Sequence, residues 1–382
     1  MLSVYTDDLT YDDAASCKIS VFGGRVCIGA DTSTWNWQMH GPEERKFSGM
    51  DEPLNKFLFH ILDLLLIIKA NTATNDRIEA SSKSKSLSAR NHIMTIQTTL
   101  FSFVNRWECD ENDHLNVQFY FGRFEEADRQ FRLLSGLSET LVGARRVRHV
   151  RFHQEMRMGD LITVHSTIAF DGPHMLTVIH EMRDGTTGTL TATALDGYEP
   201  SANSAKTLRQ RFKGFQASMI ADAAPRGIPA GPANQRSTVP ALESKGARIA
   251  YRGTVLPRDI GIDGKADDRF VLSCCTDGVA HVWQRTPMNH TYLTENGYGR
   301  VAAEMKLTWV TPLKTGDMVT VLSGFTSVGP KTFTMRHHVF ESRTNRLAAT
   351  VDVVALTMDL KSRTAVELPQ EAFQSINQML ID

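Results

Sequence analysis

The chain has 382 residues, 41% hydrophobic and 22% charged, which places it among globular proteins and allows two domains or three small ones. Its 42 Lys and Arg stand against 43 Asp and Glu, so no global field gathers nucleic acid or an anionic membrane. Any anionic ligand must be held by local charge.

The N-terminal stretch MLSVYTDDLTYDD is acidic where a signal or transit peptide would be basic, which argues for a cytoplasmic protein. The five cysteines agree: Cys17, Cys27, Cys109, Cys274 and Cys275 fit neither a disulfide framework nor zinc-ligand spacing. FGGRVCIG at 22–29 lacks the lysine and spacing of a phosphate loop and reads as a hairpin turn. The run FLFHILDLLLII at 57–68 carries His60 and Asp63 and falls short of the ~20 apolar residues that cross a bilayer. A buried or interfacial helix is expected there, and no membrane span. SSKSKSLSAR at 81–90 reads as a flexible linker, and Met94 follows it, so residues 1–95 form an N-terminal extension of undetermined fold.

From there on the chain repeats itself. MGDLITV at 158–164 returns as TGDMVTV at 315–321, and the same shift of 157 lays Gly172-Pro173 on Gly329-Pro330, His180 on His337 and Ala192-Thr193 on Ala349-Thr350. Upstream the shift is 151, pairing Phe119 with Phe270 and Glu126 with Asp277. Two homologous units follow one another, at 96–200 and 248–382, joined by a linker at 201–247 whose stretch 223–232 is rich in Pro and Gly.

Each unit reads as a helix followed by strands. Apolar residues at 117, 120, 121, 124, 127, 131 and 134 recur at helical spacing, and Gly136 is placed to stop the helix. The β-branched runs DLITVHSTIAF, HMLTVIHEM and TLTATALDGYE, punctuated by Asp171-Gly172-Pro173 and Asp184-Gly185, describe an antiparallel meander. The class is α+β, and the two units pair because one alone leaves too much helix surface exposed.

Before the first helix stands WECDENDHLN, with the helix expected to begin near Asp113 or His114. Asp110, Asn112 and Asp113 are each N-cap candidates, and a cap is the plainer role for any one of them. The amides and positive end of a helix also suit a thioester carbonyl as it becomes an oxyanion, with a nearby carboxylate as nucleophile or base. Glu126 and Asp277 further along the two helices are reserve carboxylates, or else a solvated helix face. ARRVRHVR at 144–151 is the densest basic stretch, and Arg146 and Arg148 are candidates for phosphate groups of a substrate. It lacks the aromatic interleaving of a nucleic-acid surface, and the histidines lack partners at metal-ligand spacing. His180 and His337, equivalent in the repeat, read as a shared packing feature, and Cys274-Cys275 as a small buried pair.

WECDENDHLN resembles the W-x-D-x-x-G-H-x-N signature of hotdog-fold acyl-CoA thioesterases of the 4-hydroxybenzoyl-CoA thioesterase class, and the tandem arrangement is similar to their double-hotdog members. The likeness covers roughly 100–200 and 250–365. It implies two tandem hotdog units, each a long central helix wrapped by an antiparallel sheet, forming an internal pseudo-dimer. It also implies hydrolysis of an acyl-CoA substrate to acid and CoA without a cofactor. Asp110 falls on the catalytic carboxylate, His114 and Asn116 match the motif as they stand, and Asp113 replaces the glycine. His114, Arg146 and Arg148 are then the substrate-binding candidates, and Asp110 and Asn116 the catalytic ones. In the second unit Gly261 takes the place of Asp110 and Gly264 that of Asp113, with Asp259 and Asp263 nearby, so its chemistry is expected to be lost. A non-catalytic acyl-CoA-binding module and a hotdog hydratase or dehydratase are the alternatives, and further self-association stays open.

Overall fold

The computed structural model describes residues 18–22, 25–30 and 33–34 by their backbone, and 97–214, 216–233 and 236–381 in full apart from the side chain of Gln97. The acidic N-terminus, the apolar run 57–68, the stretch 81–90 and Met94 lie outside the described residues. Residues 1–85 and 86–382 are separate compact units. In the first, β1 (Lys18–Phe22), β2 (Arg25–Ala30) and β3 (Ser33–Thr34) make a small antiparallel sheet, and Phe22 pairs with Arg25, as the hairpin reading of FGGRVCIG expects.

The larger unit repeats one sequence of elements. The first copy has β4 (Gln97–Phe103), α1 (Val117–Ser135), the short α2 (Glu139–Val142), and then β5 (Ala144–Phe152), β6 (Leu161–Ala169), β7 (Leu176–Asp184) and β8 (Leu190–Glu199). After α3 (Ala202–Arg211) and α4 (Val239–Ser244), the second copy has β9 (Arg248–Thr254), α5 (Asp268–Trp283), α6 (His290–Asn296), β10 (Tyr298–Trp309), β11 (Met318–Val328), β12 (Thr332–Glu341) and β13 (Arg346–Asp359). The short strand β14 (Thr364–Ala365) and α7 (Gln370–Asn377) close the chain. Shifts of 151 and 157 superpose β4 on β9, α1 on α5 and β6 on β11. The extra residues of the second copy fall around α6.

Helix α1 forms because Tyr120, Phe121, Phe124, Ala127 and Phe131 make one buried stripe, and it ends where Gly136 adopts a left-handed φ of 61°. Leu134, expected in the stripe, is half exposed, while Phe131 and Ser135 beside it are buried. The strands lie in the order β4-β6-β7-β8-β5-β10-β13-β12-β11-β9 with β14 beside β13, a palindrome whose seam is the antiparallel pair β5–β10. At the seam Val147 faces Thr308 and Arg151 faces Glu304. One apolar core crosses it, taking Phe121, Phe124 and Val150 from the first copy and Leu272, Met305 and Leu307 from the second. The architecture is therefore α+β with two tandem hotdog units. No helix among the described residues is long and apolar enough to cross a membrane.

The other sheet face at the seam is polar, and the inter-unit stretch covers it. Arg151 donates to the carbonyls of Ala221, Asp222 and Ala224, while Glu304 accepts from the amides of Arg226 and Gly227. Lys306 then donates to the carbonyls of Pro229 and Gly231. The Pro/Gly-rich stretch lacks regular structure because its backbone polar groups are satisfied by these side chains instead of by neighbouring strands.

Candidate active site

The segment between β4 and α1 departs from the expected helix start. A single 3-10 turn, Arg106–Glu108, is fixed by Glu108, whose Oε2 accepts from the Asn105 amide at 2.9 Å and pairs with Arg123 of α1 at 2.6 Å. The chain then doubles back: Cys109 bridges to Leu115, and the Asp110 amide donates to the His114 carbonyl at 2.8 Å. Asp113 sits at the turn with a left-handed φ of 58°, the conformation its counterpart Gly264 takes at 75°. Aspartate tolerates this region better than most residues, so the loop keeps the backbone course a glycine would give it. The helix starts later than expected, at Val117, and Asn116 is its cap, accepting from the Gln118 amide at 3.1 Å. Asp110, Asn112 and Asp113 therefore do not cap α1, and the side-chain oxygen of Asn116, expected to be catalytic, is engaged at the helix start.

Asp110 is half-buried, and one oxygen, Oδ1, accepts from the amides of Asn112 at 2.9 Å and His114 at 3.1 Å. Burial pushes its carboxyl above the usual aspartate range, outweighing the downward pull of those amides. His114 is buried beside it on the same loop. Its Nε2 lies 3.1 Å from Nη2 of Arg157 and 3.4 Å from Oε2 of Glu155. Burial, then Arg157 and Arg363, lower its pKa, so the imidazole is neutral near pH 7. Glu155 also pairs with Arg363, which belongs to the second copy and stands in a left-handed turn with φ 58°. Gly299, at the start of β10, is closely approached: a Cβ there would lie 2.8 Å from Cδ2 of Leu360 and, across the two copies, 3.2 Å from Oδ1 of Asn112. The site is thus built from both copies.

Glu155 and Arg363 were not among the expected residues. Glu155 carries a faint signal, since it precedes the repeated Gly-Asp motif where the second copy has Pro312. Arg363 carries none.

The basic stretch has a different fate from the one expected. Arg148 is fully buried, with Nε donating to Asp196 at 2.7 Å, Nη1 to Asp268 at 2.8 Å, and further bonds to the carbonyls of Phe121 and Phe124 at 3.2 Å. Arg145 grips Asp268 with both Nη atoms, at 2.7 and 2.9 Å, and the Trp309 indole donates to the same carboxylate at 2.8 Å. Burial opposes ionisation of Asp196 and Asp268, but the two guanidiniums hold both carboxylates below their ordinary range. Arg148 is thus a seam residue and not a phosphate ligand, because β5 is an inner strand covered on both faces. Arg146 stays partly exposed and pairs with Glu199 at 3.2 Å. It also donates to the Val310 carbonyl, at the far end of β10 from Gly299. At ~3.3 Å rise per residue, roughly 35 Å of strand separates Arg146 from the Asp110 loop.

The reserve carboxylates lie elsewhere too. Glu126 pairs with Arg129 and accepts from Gln130 on its own helix, and Asp277 is exposed on α5. The neighbouring Glu125 is the one that reaches across: it accepts from the amide of Asp268, the first residue of α5, at 2.9 Å and lies 3.8 Å from Arg145. Burial and then the Asp268 charge push its carboxyl up to about 7. The folded state therefore holds this proton more tightly than the unfolded chain, so stability falls as pH rises from the ordinary glutamate range through about 7. Glu125→Gln removes that titration. Its melting temperature relative to wild type should climb by a few degrees between about pH 5 and about pH 8.5; a pH-independent difference would show that Glu125 ionises normally.

Asp128, His180 and Asp196 approach one another closely enough to be metal ligands in principle. Asp128 already accepts from Tyr198 at 2.6 Å and Arg132 at 3.0 Å, and Asp196 is engaged by Arg148, so a cation there would compete with two arginines. His180 and His337 share one arrangement, with Nδ1 2.7 Å from Ser166 and Ser323 respectively. Cys274 and Cys275 are buried, and burial raises the Cys274 thiol to about 12, well out of a nucleophile's range.

The repeat places a second junction opposite the first. There loop 261–266 of the second copy meets Gly143, Ala144, Arg145 and Arg146 of the first, around a cavity of about 690 Å³ that Glu125 also lines. Asp259 caps its own 3-10 turn by accepting from the Leu256 amide at 2.9 Å, and Asp263 accepts from the Lys265 amide at 3.1 Å.

A family model described as the thioesterase-like superfamily matches residues 104–198 and 255–376, together more than half of the chain. Among solved structures, the chain is similar to a 12:0-ACP thioesterase from Umbellularia californica, with 11% identity over 69% of this chain and 94% of that one, at a TM-score of 0.46. It is likewise similar to an acyl-ACP thioesterase from Bacteroides thetaiotaomicron, with 11% identity over 70% and 99%, at 0.44. A Staphylococcus aureus protein solved in complex with CoA matches 34% of this chain and 83% of its own, at 16% identity and 0.31. No curated protein matches the chain.

Proposed function

Since this chain belongs to the thioesterase-like superfamily, we propose that it hydrolyses an acyl-CoA thioester to the free acid and CoA at the Asp110 junction. The observation that carries this reading is a half-buried carboxylate with one oxygen fixed by two amides, set beside a buried neutral histidine on a loop that touches the other copy. Oδ1 of Asp110 is occupied by the loop, and Oδ2 is left to take a proton from water. The water oxygen adds to the thioester carbonyl, the carbon–sulfur bond breaks, and the leaving thiolate takes up the proton. The N-terminus of α1 is the positive end of the helix and favours the oxyanion through its dipole, its Gln118 and Phe119 amides being taken by Asn116. Arg157 donates to Nε2 of the neutral His114, and Arg363 ties the neighbouring Glu155 to the second copy.

The ionised form of Asp110 is the working one, and burial raises its pKa. kcat/KM should therefore rise with pH through an acid limb above the ordinary aspartate value. The direct test is a panel of acyl-CoA substrates with a thiol-reactive dye. Thiol release supports hydrolysis; protection against melting without release would replace it with a binding module. Acyl groups presented on a carrier protein, run beside the CoA series, decide which of the two delivers the substrate.

A further inference from the structure

The cavity at the second junction plays no part in the chemistry assigned to Asp110. Large apolar side chains from both copies stand at its mouth almost bare, Leu133 at 70% exposed and Ile262 at 83%. Four partly exposed cations line it, and each is held by one carboxylate: Arg129 by Glu126, Arg132 by Asp128 at 3.0 Å, Arg146 by Glu199 at 3.2 Å, and Lys265 by Asp263 at 3.2 Å. The Arg146 and Lys265 pairs are the open ones; exposed pairs are weak, and a phosphate group can replace their carboxylates. Deeper in, the charges are already spent. Asp268 is saturated by Arg145, Arg148 and Trp309, and Glu125 is bonded to the Asp268 amide. A ligand must therefore place its negative charge at the mouth and send an uncharged arm inward.

We propose that this cavity is a second binding site, for a molecule carrying phosphates on a long uncharged arm of amide and methylene groups, and that CoA or an acyl-CoA fills it without being cleaved. The volume of about 690 Å³ lies inside the range of small-molecule pockets. Cleavage fails there because Gly261 replaces Asp110, while Asp259 and Asp263 are committed to their own loop. The choice of CoA rests on the thioesterase reading; the cavity and its charge pattern do not.

The test is a calorimetric titration of the full chain with CoA, with 3′,5′-ADP and pantetheine as separate probes. Two CoA molecules should bind per chain. Ile262→Trp, which fills the mouth from an exposed position, and Lys265→Glu, which reverses its charge, should each weaken one of the two sites by about tenfold or more while leaving turnover within about twofold of wild type. One CoA per wild-type chain, or two unaltered sites in both variants, would overturn the proposal, as would 3′,5′-ADP matching CoA in affinity, which would leave the arm outside the cavity. A chain that binds two CoA and releases no thiol from any acyl-CoA keeps this site and removes the thioesterase reading. A chain that hydrolyses and binds only one does the reverse.

Discussion

Asp110→Asn is expected to lower turnover by ~100-fold or more, the usual scale for losing a positioned acid or base, with acyl-CoA binding retained. Asparagine keeps the side-chain oxygen that accepts from the amides of Asn112 and His114, so the loop should hold its course and the melting temperature should barely move. What is lost is the charge. Asp259→Asn and Asp263→Asn provide the contrast. These residues hold a 3-10 turn and a loop in the second copy, where a weakened cap costs about 1 kcal/mol at most and turnover per folded molecule is unchanged. Melting and turnover measured on the same preparations separate the two kinds of effect. Full turnover in Asp110→Asn would end the catalytic assignment.

Arg148→Ala should cost 3–5 kcal/mol or prevent folding altogether, on the order expected when one partner of a buried ion pair is removed. The guanidinium is fully buried and joins Asp196 of the first copy to Asp268 of the second, and its removal leaves two buried carboxylates short of hydrogen bonds. Arg146→Ala, two residues away on the same strand, should stay within ~0.5 kcal/mol of wild type because its pair with Glu199 is exposed. Urea unfolding followed by circular dichroism reads both. Equal midpoints for the two variants would contradict the role given to Arg148.

That pair of arginines also shows what the sequence could convey. Local periodicity named the helix, the meander and the internal repeat, because each depends on residues near in the chain or on a fixed shift. The fate of ARRVRHVR depends on β5 being an inner strand beside β10, a pairing of distant segments, and no local pattern distinguishes it from an exposed strand. The Asp110 loop misled for a different reason. Asp110, Asn112 and Asp113, close together before the helix, look like caps, yet Asp113 turns left-handed and the chain takes three more residues to reach Asn116. Asp110 and His114 were marked by their motif, whereas Arg363 meets Glu155 only through the folded sheet.

The Arg148 bridge also decides which halves can marry. A dimer of identical subunits is self-complementary, so each seam contact must occur twice by rotation. Here it occurs once: by the repeat, Arg148 corresponds to Met305 and Asp268 to Val117. Two copies of the first half would crowd Arg145 and Arg148 against Val117 with no carboxylate from across the seam, and two copies of the second would bury Asp268 against Met305 without its guanidinium. Within one chain the halves need not be symmetric, and the bridge makes each specific for the other. Separately produced halves should accordingly recombine as an unlike pair and shun their own kind, an address written in one buried cation and one buried anion.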